Sequence, residues 1–515
     1  MKIKHIIILA IFLHVSLLSW GQKSYTIDAK KTYQTIDNFG ASDAWTAQFF
    51  GHFPDSKRQQ MADWLFSMET DENNKPKGIG LSLWRFNIGS GSTELGKNSY
   101  IPNITRRAEC FQLPNGEYDW TKQSGQRWFL QAAKKRGVEQ FLAFSISAPT
   151  QMTQNGLANN KFRPKDGSFN IKPDKYEDFA DFLATVVNEV SKREGIKFQY
   201  ISPFNEPEWD WDGNTTQEGT PAKMNEIAKT VRLLDKEFSA KNLDTKILVT
   251  ESGSINHMYK SDEKLFERSN QIERLFDPES ESYIGNLKNV PQMMVGHSYW
   301  TTSADMLKKE RENLRKKLND YNLGYWQTEL CIMGNDNEIG GGGGKDLSMK
   351  TALYVARVIH NDLCIANASA WQWWLAMTNS DYKDGLVYVT PNSSLTDGEI
   401  SDSKLMWTLG NYSRFVRPGA VRVDVSSKKN DTNDLTGIMI SAYKHAQDKK
   451  MTVVVINYSD KEENIKLKFD NAKTKNFVSY ITSDKNGDDL KPQPKAGTSF
   501  KIPAKSVVTL VGDID

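Results

Sequence analysis

Cysteine is scarce in this chain: three in 515 residues, Cys110, Cys331 and Cys364, with no paired framework and no metal-ligand spacing. A disulfide scaffold is thereby excluded, and stability must come from a large hydrophobic core, which a chain of this length can bury. Charge of one sign is also missing. Sixty-six Lys and Arg stand against 64 Asp and Glu, a formal net charge of +2, so there is no electrostatic footprint for nucleic acid or an anionic membrane. The histidines show no H-E-x-x-H or clustered spacing, which argues against a catalytic metal. No cofactor is expected.

Long apolar runs are absent beyond the amino terminus. There, Lys2 and Lys4 precede an apolar stretch from Ile6 to Leu18, with Ser19 and Gly21 following. That stretch is short of the roughly 20 residues that span a bilayer. It reads as a signal peptide over 1–21, so the mature chain is expected to be exported, to the periplasm, the cell surface or the exterior, with no membrane span.

Aromatics are plentiful, with 14 tryptophans. In the middle of the chain, β-rich runs alternate with amphipathic segments. Strand runs are expected at 34–40, 81–89, 139–147, 198–205, 246–252, 293–300, 323–329 and 368–374. Between them, "PDSKRQQMADWLFSM" reads as a helix opened by a Ser56/Gln59 capping box. "PDKYEDFADFLATVVNEVSKREG" repeats that device with Asp174 and Glu177. It sets Phe179, Leu183, Val186, Val187 and Val190 on one face and stops at Gly195. Eight strands with helix-length connections point to a parallel sheet closed as a (β/α)8 barrel. An open doubly wound sheet is the alternative, but "NFGASDAW" lacks the G-x-G-x-x-G that usually follows its first strand.

After about Trp407 the pattern becomes short alternating strands separated by turns such as Asn486-Gly487, the signature of an antiparallel β-sandwich. The expected organisation is an α/β barrel over 39–410 with an appended sandwich over 411–515. Segment 22–38 has strand character and is expected to pair into the sandwich.

Barrel active sites form at the carboxyl ends of the strands. "ISPFNEPEWDWDG" (201–213) therefore places Asn205 and Glu206 at the mouth of the fourth strand, and "LGYWQTE" places Glu329 at the mouth of the seventh. Two carboxylates facing each other across a barrel suit hydrolysis of a glycosidic bond, one protonated to serve the leaving oxygen and the other ionised toward the anomeric carbon. Arg85, at the end of strand two, is placed to orient a carboxylate. Asp43, Trp45, His297 and Tyr299 are candidate substrate-binding or supporting residues. Glu251, at the end of strand five, is the competing catalytic carboxylate. "NEIGGGGGKDLS" (337–348) lacks the Lys-Ser/Thr ending of a phosphate loop and reads as a mobile loop over the cleft.

"FNEPEWDW" followed by "WQTEL" resembles glycoside hydrolase family 30. So do "FGASDAW", "LWRFNIGSGS", "FSISAPTQMTQNG", "HSYW", "WQWW" and "GNYSRFVRPGAVRV", in that order along nearly all of the mature chain. The resemblance implies a retaining enzyme with Glu206 as acid/base, Glu329 as nucleophile and Asn205 bonding the sugar 2-hydroxyl. Trp373, with Trp371 on the same face, would be the sugar platform. The substrate would be a β-linked poly- or oligosaccharide, with wording closest to the endo-β-1,6-galactanase group. Xylanase, β-1,6-glucanase, β-fucosidase and glucosylceramidase types are the alternatives, as is a non-catalytic glycan-binding protein. Gln151 stands where that family commonly carries tryptophan, at the leaving-group side.

Overall fold

The structure, a computed structural model, describes residues 22–212, 216–334, 337–429, 431–494 and 497–515. The proposed leader, 1–21, lies outside the described residues.

The barrel strands are buried apart from the first residue of some of them, consistent with a parallel sheet covered on its outer face by helices. They are β2 (Asn38–Ser42), β3 (Leu83–Ile88), β4 (Gln140–Ser145), β5 (Tyr200–Ser202), β6 (Lys246–Ile247), β7 (Thr250–Ser252), β8 (Met293–His297), β9 (Gly324–Glu329) and β10 (Ala370–Thr378); β1 (Lys23–Thr35) belongs elsewhere. Neighbours run β6-β5-β4-β3-β2-β10-β9-β8-β7. β6 and β7 are halves of one strand position. Leu248 N–H donates to Ile201 C=O on one side, and Val295 N–H reaches Val249 C=O on the other, so eight strand positions close into a ring. A hairpin of β11 (Gly385–Pro391) and β12 (Gly398–Ser401) extends from β10.

The interior is layered by the two-residue period of the strands. Leu83, Leu142, Leu248, Val295, Trp326 and Ala370 form one buried apolar cluster, with Tyr200 edge-on to Trp326 at 4.7 Å. Truncating one of the larger members to alanine costs about 2–5 kcal/mol. Two residues further along the same strands stand Arg85, Phe144, Ser202, His297, Thr328 and Gln372, so the layer nearer the mouth is largely polar. The apolar layer closes the barrel bottom, and the site is built on it.

The helix Tyr176–Glu194 buries Phe179, Leu183, Val186, Val187 and Val190, and its end is marked by Gly195 at φ +60°, as the pattern predicted. The two capping boxes are corrected. Helix Asp55–Phe66 begins behind Pro54, which leaves Ser56 inside the first turn, and Tyr176–Glu194 is preceded by Lys175 with no side-chain cap. Among the described residues no helix is long and apolar enough to cross a membrane.

The second sheet contains β1 with β13 (Val421–Ser427), β14 (Ile438–His445), β15 (Lys450–Asn457), β16 (Glu463–Asp470), β17 (Thr474–Ser483), β18 (Lys491–Pro494), β19 (Ser499–Ile502) and β20 (Ser506–Ile514). Its order is β18-β17-β20-β15-β14-β13-β1-β16-β19. All pairs are antiparallel except β1 with β16. Phe477 on β17 meets Phe500 on β19 at 5.7 Å, although the two strands lie far apart in the sheet order. The sheet therefore folds over itself as a sandwich around Ile27, Val455, Leu467 and Leu510. The helix Lys404–Ser413 spans the expected 410/411 border. From it Asn411 donates to Tyr480 C=O and accepts, at its backbone carbonyl, from Thr509. The helix also packs against β2 and β11, so it is shared between barrel and sandwich.

Candidate active site

Glu206 follows β5 and Glu329 ends β9. One oxygen of each, together with a ring nitrogen of His297, lie within 4.8 Å of one another. Alternation alone would turn Glu329 away from the interior, since Thr328 points inward. The β8–β9 pairing slips at this point: Gly296 stands opposite Gln327, but His297 stands opposite Glu329. Irregularities of this kind re-aim side chains at sites. Glu206 and Glu251 hold φ of +48° and +56°, conformations costly for bulky side chains and concentrated here where surrounding bonds enforce them. The Glu206 N–H donates to Glu251 C=O at 2.7 Å.

Beneath the two glutamates lies a buried charge network. Arg85 donates to Glu329 Oε2 at 2.6 Å and to Asn205 Oδ1 at 3.1 Å, and faces Glu251 at 3.6 Å. Its guanidinium lies 3.8 Å from the Phe144 ring centroid. Tyr299 donates to Glu329 Oε1 at 2.9 Å. Burial and the neighbouring carboxylates push its phenol far above the ordinary value, so it stays a donor. His297 Nδ1 is 2.9 Å from Glu206 and 3.7 Å from Glu329, and Nε2 is 3.2 Å from Glu251.

These contacts divide the acidities. Burial raises Glu206 to about 7; the His297 bond works in the opposite direction, and Glu329 and Glu208 reinforce the rise. Burial also opposes charge on Glu251, but Arg85, His297 and Ser202 outweigh it and hold Glu251 at about 2. His297 is raised to about 10, its burial overcome by Glu329, Glu206 and Glu251. It is therefore a cation that donates from both ring nitrogens, and Glu251 is a permanent anion fixed by Ser202, Thr328 and His297. Glu206, His297 and Glu329 are near enough to hold a metal ion, yet Arg85 and protonated His297 already supply the positive charge these carboxylates face.

The glutamates open into a cavity of about 430 Å³, also lined by Trp209, Trp211, Tyr299, Trp300, Trp374 and Asp384. Arg85 and His297 contact the carboxylates from behind, and Asn205, next to Glu206 in sequence, is held by Arg85. Asp43, just past the end of β2, is buried outside the cavity lining, accepts from Asn87 N–H at 2.8 Å and is raised to about 8 by burial. Trp45 packs edge-on to Trp374 at 5.3 Å.

The two tryptophans expected as the platform do not line this cavity. Trp371 and Trp373 are fully buried and give their indole N–H groups to Asp362 and to the Asp384 carbonyl. On β10 the inward residues are Gln372 and Trp374, and Trp374 is the one in the cavity. The tandem "WQWW" offered tryptophans in both registers, and the pleat selects the last. Asp384, Arg106 and Tyr382, also in the cavity wall, come from loops that no strand-end argument reaches.

The other acids of the opening stretch are used structurally. Glu208 accepts from Ser252 Oγ and the N–H of Gly253 and Ser254. Asp210 pairs with Arg268 at 2.9 Å and Asp212 with Lys165. The glycine run is latched rather than free: the Lys383 ammonium donates to Gly341 and Gly343 carbonyls at 3.0 and 2.8 Å.

Comparison with known proteins agrees with this arrangement. Residues 22–388 match the model of O-glycosyl hydrolase family 30, and 419–510 match the family 30 β-sandwich domain. A conserved exported protein from Bacteroides fragilis, of solved structure, is 36% identical with a TM-score of 0.87, over 95% of this chain and 100% of that one. An endo-β-1,6-galactanase from Hypocrea rufa is 24% identical over 410 residues, 76% of this chain and 74% of that protein. A glucuronoxylanase from Bacillus subtilis (strain 168) is 26% identical over 403 residues, 74% and 75% of the two chains. The chain is a glycoside hydrolase and belongs to family 30.

Proposed function

We propose that this chain is an exported endo-β-1,6-galactanase that works by double displacement, with Glu206 as acid/base and Glu329 as nucleophile. The observation that carries the mechanism is the approach of the two carboxylates to within 4.8 Å. Such closeness suits direct attack on the anomeric carbon, whereas inverting enzymes need about 6.5–9.5 Å between carboxyl groups to admit a water.

Glu206, protonated up to about pH 7, gives its proton to the leaving oxygen. Glu329, aligned by Arg85 and Tyr299, attacks and carries the glycosyl group. Glu206, now ionised, takes a proton from the water that releases it. Asn205, fixed by Arg85, is set to bond the 2-hydroxyl.

A neutral galactan is favoured over an acidic xylan by the charge of the cavity wall. Glu206, Glu329 and Asp384 line it with Arg106 as the cation among its lining residues, and Arg106 already faces Asp384 at 3.9 Å. A uronate would find that cation already facing a carboxylate, whereas a neutral sugar needs no cation. The similarity to the Hypocrea rufa enzyme and the "LWRFNIGSGS" wording support the same choice. Export rests on the basic-then-apolar amino terminus.

The test is a product profile on β-1,6-galactan, glucuronoxylan and β-1,6-glucan, with anomeric configuration followed by NMR. Oligosaccharides of retained β configuration from galactan are expected. Glucuronoxylan as the best substrate would replace the galactan assignment, and inverted products would remove the double displacement.

A further inference from the structure

Away from the catalytic cavity, two large aromatic side chains from distant parts of the chain meet in solvent. Tyr100 is 50% exposed and Phe162 is 71% exposed, with ring centroids 5.1 Å apart at 83°. The Lys161 ammonium stands 5.4 and 5.0 Å from the two rings. Both residues hold positive φ, +58° and +67°, a backbone region that bulky side chains seldom occupy. Rings this exposed gain less for the fold than buried ones, since half or more of each stays in solvent.

The pair sits on the catalytic face. Tyr100 lies in the loop after β3 and Phe162 in the loop after β4, both leaving the carboxyl ends of barrel strands. The Asn159 side chain donates to Ser99 C=O at 3.0 Å, which ties the two loops together. Asn160 N–H donates to Trp211 C=O at 2.9 Å, and Gly219 N–H to Ala158 C=O at 2.8 Å. The same two loops thus join the cavity wall: Trp211 lines the cavity, as does Arg106, six residues beyond Tyr100 and 3.3 Å from Thr216.

We propose that Tyr100 and Phe162 form a distal glycan-binding subsite, which holds a pyranose of the polysaccharide several units from the bond being cleaved. The proposal rests on the polysaccharide reading above. A ring face offers an apolar surface to the C–H face of a pyranose, and the Tyr100 hydroxyl and Lys161 ammonium offer donors to its hydroxyls. Continuity with the cavity identifies the occupant as the same chain that the glutamates cut. The subsite acts on long substrates only.

The test compares wild type with a Tyr100→Ala/Phe162→Ala double variant on β-1,6-galactan and on a p-nitrophenyl β-galactoside, with thermal unfolding as the control for folding. Loss of the aromatic contacts is expected to raise KM on galactan roughly tenfold, while kcat/KM on the aryl glycoside stays unchanged. A Phe162→Trp variant, which keeps two aromatic faces and the Tyr100 hydroxyl, should retain the wild-type KM on galactan. Wild-type cleavage of galactan with the same KM in the alanine variant overturns the subsite alone. A concentration-dependent dimer lost in that variant, with KM unchanged, assigns the patch to a second copy and likewise overturns it. A wild type without activity on any polysaccharide brings down the function proposed above.

Discussion

Arg85 and Glu329 form a buried ion pair with Nη1 and Oε2 2.6 Å apart, both side chains at least 95% out of solvent. The guanidinium also faces Glu251 and Asn205, so one cation serves two carboxylates and the proposed sugar ligand. Removing it leaves two buried anions with reduced compensation. Arg85→Met is expected to destabilise the protein by about 3–5 kcal/mol and to abolish turnover in the molecules that still fold. Urea denaturation and residual activity measure the two effects. Glu329→Gln, which keeps the shape and the oxygen that accepts from Arg85 while its amide nitrogen can donate to the Tyr299 hydroxyl, is expected to remain folded, bind galactan and turn over none of it. An unchanged kcat would remove Glu329 from the nucleophile role.

The raised acidity of Glu206 sets a pH limit. Protonation is needed for departure of the leaving group, so kcat/KM on galactan should decline as pH rises through about 7, where burial places this carboxyl. Glu206→Gln should erase that limb. On an aryl glycoside with a good leaving group, the first step should survive and the second slow, so external azide is expected to restore turnover and yield a β-glycosyl azide.

Stability should follow pH with a definite sign. Glu206, Glu218, Asp384 and Asp43 are raised by burial to about 7, 7, 6 and 8. The folded state binds their protons more tightly than the unfolded chain, so their contribution is complete below about pH 4 and is lost as pH rises toward 8. His297, raised to about 10, loses its share between about pH 6.5 and 10. Glu251 is lowered to about 2, so its contribution is complete above about pH 4.5 and is lost as pH falls toward 2. The melting temperature is therefore expected to peak near pH 4 and fall on both sides. A plateau through pH 8 would mean that these buried carboxyls do not hold their protons.

Much of this was legible in the sequence because it depends on period and position. Eight β-rich runs, each followed by helix-length sequence, specify the closed sheet, and the strand-end rule locates Glu206, Glu329 and Arg85. What escaped depends on the phase of a pleat or on loop paths. Trp374 differs from Trp373 by one residue and therefore by a whole face. Asp384, Arg106 and Tyr382 reach the cavity along loops whose course is set by contacts such as Lys383 with the glycine carbonyls, which carry no periodic signal. Glu251 stands at the end of strand five as expected, and only the distances to Arg85 and His297 mark it as a permanent anion.

The tryptophan assignment separates by kinetics. Trp374→Ala removes a cavity wall against which the sugar would rest, and is expected to lower kcat/KM on galactan by about tenfold or more, since each 1.4 kcal/mol of lost contact is a decade. Trp373→Phe lies outside the cavity and loses the bond to Asp384 C=O and part of the buried indole's packing. It should lower the melting temperature and leave kcat/KM per folded molecule near wild type. The reverse pattern would return the platform to Trp373.

The glycine run gives a matched pair of substitutions. A Cβ at Gly342 would overlap the Tyr382 ring and the Ile332 carbonyl, whereas one at Gly343 meets nothing within 4 Å. Neither position needs positive φ, so the contrast is one of space alone. Tyr382 and Asp384 line the cavity and flank Lys383, whose backbone and ammonium both bond the run. Gly342→Ala should therefore displace Tyr382, destabilise by about 1–3 kcal/mol as overpacking does, and lower kcat/KM on galactan. Gly343→Ala should match wild type in both. If the run were instead a free flap, the two variants would behave alike, and Lys383→Met would leave kcat/KM untouched. Loss of activity in Lys383→Met and Gly342→Ala together, with Gly343→Ala intact, would show that the latch holds the cavity wall in place.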